Sequence, residues 1–293
     1  MRIAVAGSTG LMGRPLVERL TAGGHAVTPM VRRTAGPGEI AWDPHGTTMP
    51  ELLSGIDAVV NLAGAPIGDK RWSEPRKRVL WSSRVDGTTV MAEAAAASGV
   101  GVLINGSAIG FYGERGDEQV DETSEPGAGF MADLCQAWEA ATAPAAQGGV
   151  RVVNLRSGIV LDPAGGALKK QLPLFRLGLG GRLGSGSQWM SWISIVDQVE
   201  AIVHLLEASS VSGPVNLVAP GAVRNAELTA TLGRVVRRPA VLPVPRFALQ
   251  IVLGEMVQDL LASAHVVPHR LAESGFEFRH PELEGALRAV LGR

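Results

Sequence analysis

A single cysteine, Cys135, excludes an internal disulfide, and with six scattered histidines it leaves no cluster at metal-ligand spacing. Only His265 and His269 could share a helix face, and Pro268 lies between them, so no metal is expected. No long uncharged apolar run occurs, which excludes a membrane-spanning helix. The first apolar segment reads as a strand rather than a signal peptide, so the cytoplasm is the expected location. Charge of one sign is also missing: a formal net charge of -1 over 293 residues gives no reason to expect nucleic acid or an anionic membrane as a partner. There is one tyrosine, Tyr112, and lysine occurs only at positions 70, 77, 169 and 170. No linker divides the chain, so function must come from a site.

What is present begins at the N-terminus. Ile3 to Ala6 read as a buried parallel strand, and Leu11, Leu16, Val17 and Leu20 recur at helical spacing directly after it. Between them Gly7, Gly10 and Gly13 give a tight turn, a backbone that can approach a pyrophosphate, and close packing of helix on strand. Gly7, Thr9, Gly10, Leu11, Met12 and Gly13 are therefore expected to touch a dinucleotide. A second strand, Ala26 to Val31, ends in Arg32 and Arg33, where an acid would accept the ribose 2′-OH of NAD. A cationic pair there suits the extra phosphate of NADP(H), the alternative being two arginines that only solvate a loop. Glu39 to Pro44 and Asp57 to Leu62 are further strands. The second runs into Leu62, Ala63 and Gly64, small enough for backbone to meet the nucleotide.

Ser73 to Ala97 is a long helix, and Val102 to Gly106 is a fifth strand running into Ser107 and Tyr112-Gly113. A sixth, Val150 to Leu161, delivers Arg156, Ser157 and Val160 to the nicotinamide end. The glycine pattern, the Asn-Leu-Ala-Gly turn, the Gly-Thr helix, Ser107 before Tyr112-Gly113 and Leu155-Arg156 together resemble the extended short-chain dehydrogenase/reductase superfamily. Trp138-Glu139, the 173–181 and 184–193 stretches and Gly275 to Leu283 resemble its small epimerase-like branch with a C-terminal domain of unknown function, sometimes named after a cell-division inhibitor. The resemblance implies an α/β fold: a Rossmann-like doubly wound parallel sheet with a smaller C-terminal substrate lobe.

The chain departs from that superfamily where its chemistry usually sits. The usual tyrosine exchanges a proton with the substrate oxygen, and a lysine four residues on lowers its pKa and holds the ribose. No Tyr-x-x-x-Lys exists here, since Gly116 follows Tyr112 at that spacing. Matching Glu139 to the glutamate after that motif puts Met131 in the tyrosine's place and Cys135 in the lysine's, beside the nicotinamide ribose. Ala108 falls where the catalytic hydroxyl is usual, with Ser107 one residue before. Ser107 and Tyr112 are thus the candidate catalytic groups. Arg84 stands where the superfamily has asparagine. It either reaches phosphate or ribose oxygens or lies solvated on the helix's outer face.

The substrate side comes from residues 162–193 and 220–293, forming the smaller lobe, while residues 1–161 and 194–219 bind the cofactor. The lobe is expected to hold a helix from Ala167 to Leu177 broken at Pro173, helices from Asn225 to Val236 and from Arg246 to Ala264, and a last apolar stripe on Leu283, Leu287, Val290 and Leu291. Asp197 is the expected cap of the helix after Ile195. Glu255 either points into a pocket or lies on a helix surface. Trp189 and Trp192 either wall a substrate pocket or pack between the lobes. The expected function is that of an NADP(H)-binding oxidoreductase or epimerase-like protein acting on a small cytoplasmic metabolite. The alternative is a cofactor-binding protein that no longer catalyses and reports redox state or meets a protein partner, such as cell-division machinery.

Overall fold

The computed structural model describes residues 1–46 and 51–293. Apolar β-branched runs give the first five strands, β1 (Arg2–Ala6), β2 (Ala26–Val31), β3 (Ile40–Ala41), β4 (Ala58–Asn61) and β5 (Val102–Ala108). Between them lie α1 (Gly13–Ala22) and α2 (Glu74–Ser98). The latter starts where the Ser73 side chain accepts from the Arg76 amide, with Pro75 in its first turn, and stops at Gly99, which takes the left-handed φ of 68°. After β5 come a short 3₁₀ turn (Ile109–Tyr112), β6 (Gln119–Val120), α3 (Phe130–Ala140), α4 (Ala143–Gln147), β7 (Arg151–Ser157) and β8 (Ile159–Leu161). The expected sixth strand is therefore two, broken at Gly158. There a Cβ would lie 2.6 Å from the Ser191 carbonyl oxygen.

The remaining elements are α5 (Gly166–Arg176), β9 (Trp189–Met190), β10 (Trp192–Ser194), α6 (Ile195–Glu207), β11 (Gly213–Leu217), β12 (Val223–Arg224) and α7 (Asn225–Val236). They are followed by α8 (Arg246–Leu253), α9 (Met256–Leu261), β13 (His265–Val266), α10 (His269–Glu273) and α11 (Leu283–Leu291). Seven strands form one parallel sheet in the order β11-β7-β5-β4-β1-β2-β3. The order reverses between β1 and β4, the crevice where open α/β sheets take ligands. Period-two alternation sends Ile3, Val5, Val60, Ile104 and Leu155 to the face under α6, and Ala4, Ala6, Val59 and Leu103 to the face under α2. No helix among the described residues is long and apolar enough to cross a membrane.

A second core joins Leu168, Leu172 and Phe175 of α5, Trp192, Leu228 and Leu232 of α7, and Leu283 and Leu287 of α11. Five expectations change here. α5 continues through Pro173, because Pro173 and Lys169 are both exposed and the carbonyl that proline leaves unpaired lies on the outer side. The 246–264 helix is split at Gly254, whose φ of 63° ends α8, and Glu255 is exposed and paired with Lys77. His265 sits on a strand paired with β6 and His269 on α10, so they share no helix face. Residues 271–278 pack Leu271, Phe276 and Phe278 onto the main-sheet core, so this part of the C-terminal segment covers the cofactor domain rather than the lobe. The cap of α6 is Ser194, not Asp197. The buried Asp197 carboxylate instead accepts from the Arg279 and His280 amides, pinning that segment.

Candidate active site

The turn after β1 is shaped by close backbone contacts at its glycines. Gly7 has φ of 80°, and a Cβ on it would lie 2.7 Å from the Leu62 carbonyl oxygen. On Gly13 it would lie 2.1 Å from that of Gly7. The Gly10 amide donates to Gly7 at 2.9 Å, and no side chain caps the start of α1. Thr9 and Gly10 are exposed, and Met12 is half-buried. Leu11 packs on Gly165, where a Cβ would meet it at 2.4 Å, so the loop before α5 crosses over the turn. The result is a cradle of amides at a helix N-terminus, suited to an anion. Beyond β2 the two arginines differ. Arg33 is forked onto Glu39, both contacts at 2.7 Å, while Arg32 is exposed and has no ion pair among the described residues. Of the two arginines expected at the 2′-phosphate, Arg33 is thus held by an anion of its own, and Arg32 is the exposed cation without one among the described residues.

At the carboxyl end of β4, Leu62 and Ala63 are half-buried and Gly64 is exposed. Arg84 reaches this point from α2. It is 7% exposed, donates to Leu80 and Ala65 carbonyls at 3.2 and 3.0 Å, and lies 5.0 Å over the Trp138 ring. The reading of Arg84 as a solvated residue on the outer face is thereby overturned. Beside it, an asparagine row that sequence reasoning missed crosses three strands: Asn61 donates to Asn105 at 2.9 Å and Asn105 to Asn154 at 3.1 Å. Its signal was one asparagine in each of three apolar strands, which the sheet register sets side by side. Thr88 joins the row and accepts from the Trp138 indole at 2.9 Å, locking α2 to α3.

Past β5 a buried polar chain runs through both candidate catalytic groups. Ser107 Oγ donates to Glu139 at 2.7 Å, and Arg156 forks onto the same carboxylate at 2.8 and 2.9 Å. The guanidinium also donates to the Tyr112 hydroxyl at 3.0 Å and lies 3.4 Å from the Phe111 ring centroid. Tyr112 in turn donates to Asn216 at 2.7 Å. Tyr112 is fully buried, and burial pushes its phenol up to about 12. Its expected role as proton donor facing the nicotinamide is corrected: the hydroxyl is spent on two protein partners inside the core. Met131 packs against Gly110, and Cys135, one turn later, is also fully buried, its thiol pushed up to about 12 by burial. Cys135 is a core residue rather than a group beside the ribose. Ser157 accepts from Gln198 at 3.0 Å, and Val160 is half-buried opposite Ile193.

The two tryptophans separate. Trp192 is fully buried in the lobe core, its indole donating to Gly221 at 2.8 Å, so it walls no pocket. Trp189 stacks on His265 with centroids 4.1 Å apart, and Arg224 covers its other side at 4.0 Å. Arg224 is paired with Asp117 at 2.7 Å and lines a cleft of about 810 Å³ between the 114–117 and 184–188 loops, with Arg246 and Ser263 on its rim. Trp189 thus supports a wall of that cleft through Arg224.

This geometry agrees with what the chain resembles. Residues 3–218 match the NAD dependent epimerase/dehydratase family, and residues 244–290 match a domain of unknown function, DUF1731. An epimerase family protein of Mycobacterium bovis, Mb2239, is 46% identical over 288 residues, covering 97% of this chain and 96% of its own. The crystal structure of human epimerase family protein SDR39U1 with NADPH superposes with a TM-score of 0.93 at 35% identity, covering 100% of this chain and 99% of that one. The nucleoside-diphosphate sugar epimerase of Corynebacterium glutamicum superposes at 0.83 with 36% identity, this chain spanning 58% of it. The chain belongs to the NAD dependent epimerase/dehydratase family.

Proposed function

We propose that the protein binds NADP(H) along the carboxyl ends of β1, β2 and β4 and exchanges hydride with a small molecule held between the sheet and the lobe. The observation that carries this reading is the glycine turn at Gly7, Gly10 and Gly13, with no room for a Cβ at Gly7 or Gly13, and the exposed Arg32 beyond the neighbouring strand. The amides of the turn would hold the pyrophosphate, Arg32 the 2′-phosphate, and the Ala63-Gly64 backbone the adjoining nucleotide. When bound, the nicotinamide supplies a hydride donor or acceptor. Human SDR39U1, similar along its whole length, has been crystallised with NADPH, which supports the same ligand here.

Proton transfer cannot follow the usual route, because the one phenol is buried and no lysine stands near it. Ser107, held by Glu139, is the hydroxyl left at the end of β5 to orient a substrate oxygen. The proton then comes from another group or from water. Titration with NADPH and NADH tests the cofactor, and absorbance at the nicotinamide band across a panel of carbonyl substrates tests turnover. Tight NADPH binding without turnover on any of them would favour the non-catalytic reading, a redox reporter or partner-binding protein. Equal affinity for the two cofactors would remove the assignment to NADP(H).

A further inference from the structure

The large apolar side chains left exposed on this protein are not scattered. Of the eleven among the described residues, eight lie in residues 174–179 and 241–252, where Leu177, Val241, Phe247, Ile251 and Val252 are 69% to 77% exposed. The first stretch is the end of α5 and the loop after it, and the second runs from the extended segment after α7 through α8. They lie side by side: the Leu242 amide donates to Gly180 at 3.3 Å, the Val244 amide to Arg182 at 2.8 Å, and the Arg238 guanidinium to the Arg176 carbonyl at 3.1 Å. No residue of α8 is buried, and its Phe247 and Ile251, four apart, share one face. Single exposed apolar residues are ordinary, whereas a contiguous group marks a surface that meets something.

Charge indicates what it meets. Residues 166–183 and 237–253 hold seven lysines and arginines, all exposed, and no aspartate or glutamate, in a chain whose formal net charge is -1. Of the seven, only Lys170 has an ion pair among the described residues, with Asp69 at 3.7 Å. The whole-chain balance, which gave no reason to expect an anionic membrane, averages over this one-sided face. A second copy docked face to face would set cation against cation. Nucleic acid would meet the cations and leave the apolar side chains in water. An anionic bilayer satisfies both, because apolar side chains on an outlying helix with lysine and arginine around them are the make-up of helices that lie in the lipid interface.

We propose that this face of the lobe, α8 together with the end of α5 and its loop, docks the protein peripherally on an anionic membrane surface. Leu177, Phe247 and Ile251 enter the headgroup boundary, and the cations around them meet lipid phosphates. The attachment lies on the bilayer, since no helix among the described residues is long and apolar enough to cross it. Arg246 begins α8 and also lines the cleft of about 810 Å³, so docking sets the rim of that cleft beside the lipid.

Vesicle flotation of the full chain tests it. The protein should float with vesicles of phosphatidylcholine holding about one-third phosphatidylglycerol and not with phosphatidylcholine alone. Raising salt from about 0.1 to about 0.5 M should weaken that binding by about tenfold or more. The double variant Phe247→Ser, Ile251→Ser should bind about tenfold more weakly or worse, as should Arg237→Glu with Arg238→Glu, while Val79→Ser, exposed on α2, should bind as the unaltered protein does. Should the double variants not fold, hydrogen exchange on the unaltered protein decides: anionic vesicles should slow exchange over residues 174–183 and 241–253, and no slowing there would overturn the proposal. Absence of binding to anionic vesicles, equal binding to both kinds, or binding that a folded double variant keeps would also overturn it. A dimer that the Phe247 and Ile251 changes dissolve would assign the face to a second copy. Tight binding of duplex DNA or of an acidic amphipathic peptide in place of vesicles would assign it to nucleic acid or to a protein.

Discussion

Tyr112 and Asn216, 104 residues apart in the chain, are joined by a 2.7 Å hydrogen bond inside the core, with Arg156 donating to the same phenol. This makes the phenol a structural group. Tyr112→Phe should leave NADPH affinity and any turnover within about threefold of the unaltered protein, and should cost on the order of 1–3 kcal/mol of stability by stranding its partners. Denaturant unfolding and cofactor titration of the same variant check both halves. A large fall in turnover at unchanged stability would return Tyr112 to catalysis.

The same residue has a pH signature. Its phenol is pushed up to about 12 in the fold, against about 10 unfolded, so the folded state keeps its proton longer. Stability from this group is complete below pH ~10 and falls as pH rises from there toward 12. Unfolding curves across that window should show a steeper loss for the unaltered protein than for Tyr112→Phe. Parallel curves would mean the phenol is solvated.

Arg32 and Arg33 should differ in their effect on cofactor choice. Arg32→Ala should reduce the preference for NADPH over NADH by about ten- to a hundredfold, leaving NADH affinity unchanged. Arg33→Ala, which removes a cation already forked onto Glu39, should do less. Titration of both variants with both cofactors ranks them, and the reverse order would show that the Glu39 fork opens on binding.

Cys135 should resist thiol reagents. With the thiol fully buried and pushed up to about 12, labelling at pH 8 should be slow and alike with and without NADPH. Fast labelling that NADPH abolishes would place the sulfur in the cofactor groove.

Glu139 ties Ser107 to Arg156. Glu139→Gln leaves a nearly buried guanidinium without its counter-ion and should cost about 3–5 kcal/mol, read as a drop in unfolding free energy. Ser107→Ala removes one neutral donor and should cost far less. Similar losses in the two variants would show that the ion pair contributes little.

Local pattern was enough for the cofactor half. The strand, glycines and helix at residues 3–20 are adjacent in the chain, and sterics at Gly7 and Gly13 act over a few residues, so the turn is legible from spacing. α7 likewise begins at Asn225 and ends at Val236 as its periodicity predicts. Pro173 misled because the cost of proline in a helix depends on whether the freed carbonyl can face outward, which only packing settles.

What the chain order could not reveal is where a side chain spends its hydrogen bonds. Tyr112 looked available because it follows β5, but Asn216 on β11 and Arg156 on β7 claim it, and parallel neighbours in a sheet are remote in sequence. Arg33 was lost to Glu39 six residues on, Trp192 to the lobe core, and Cys135 to the interior between α3 and the sheet. Sequence by itself determined the fold class and the backbone cradle, since these rest on local sterics and periodicity. Only the tertiary structure decided which polar groups remain free at the site, because burial and partner choice are properties of surfaces brought together from distant segments.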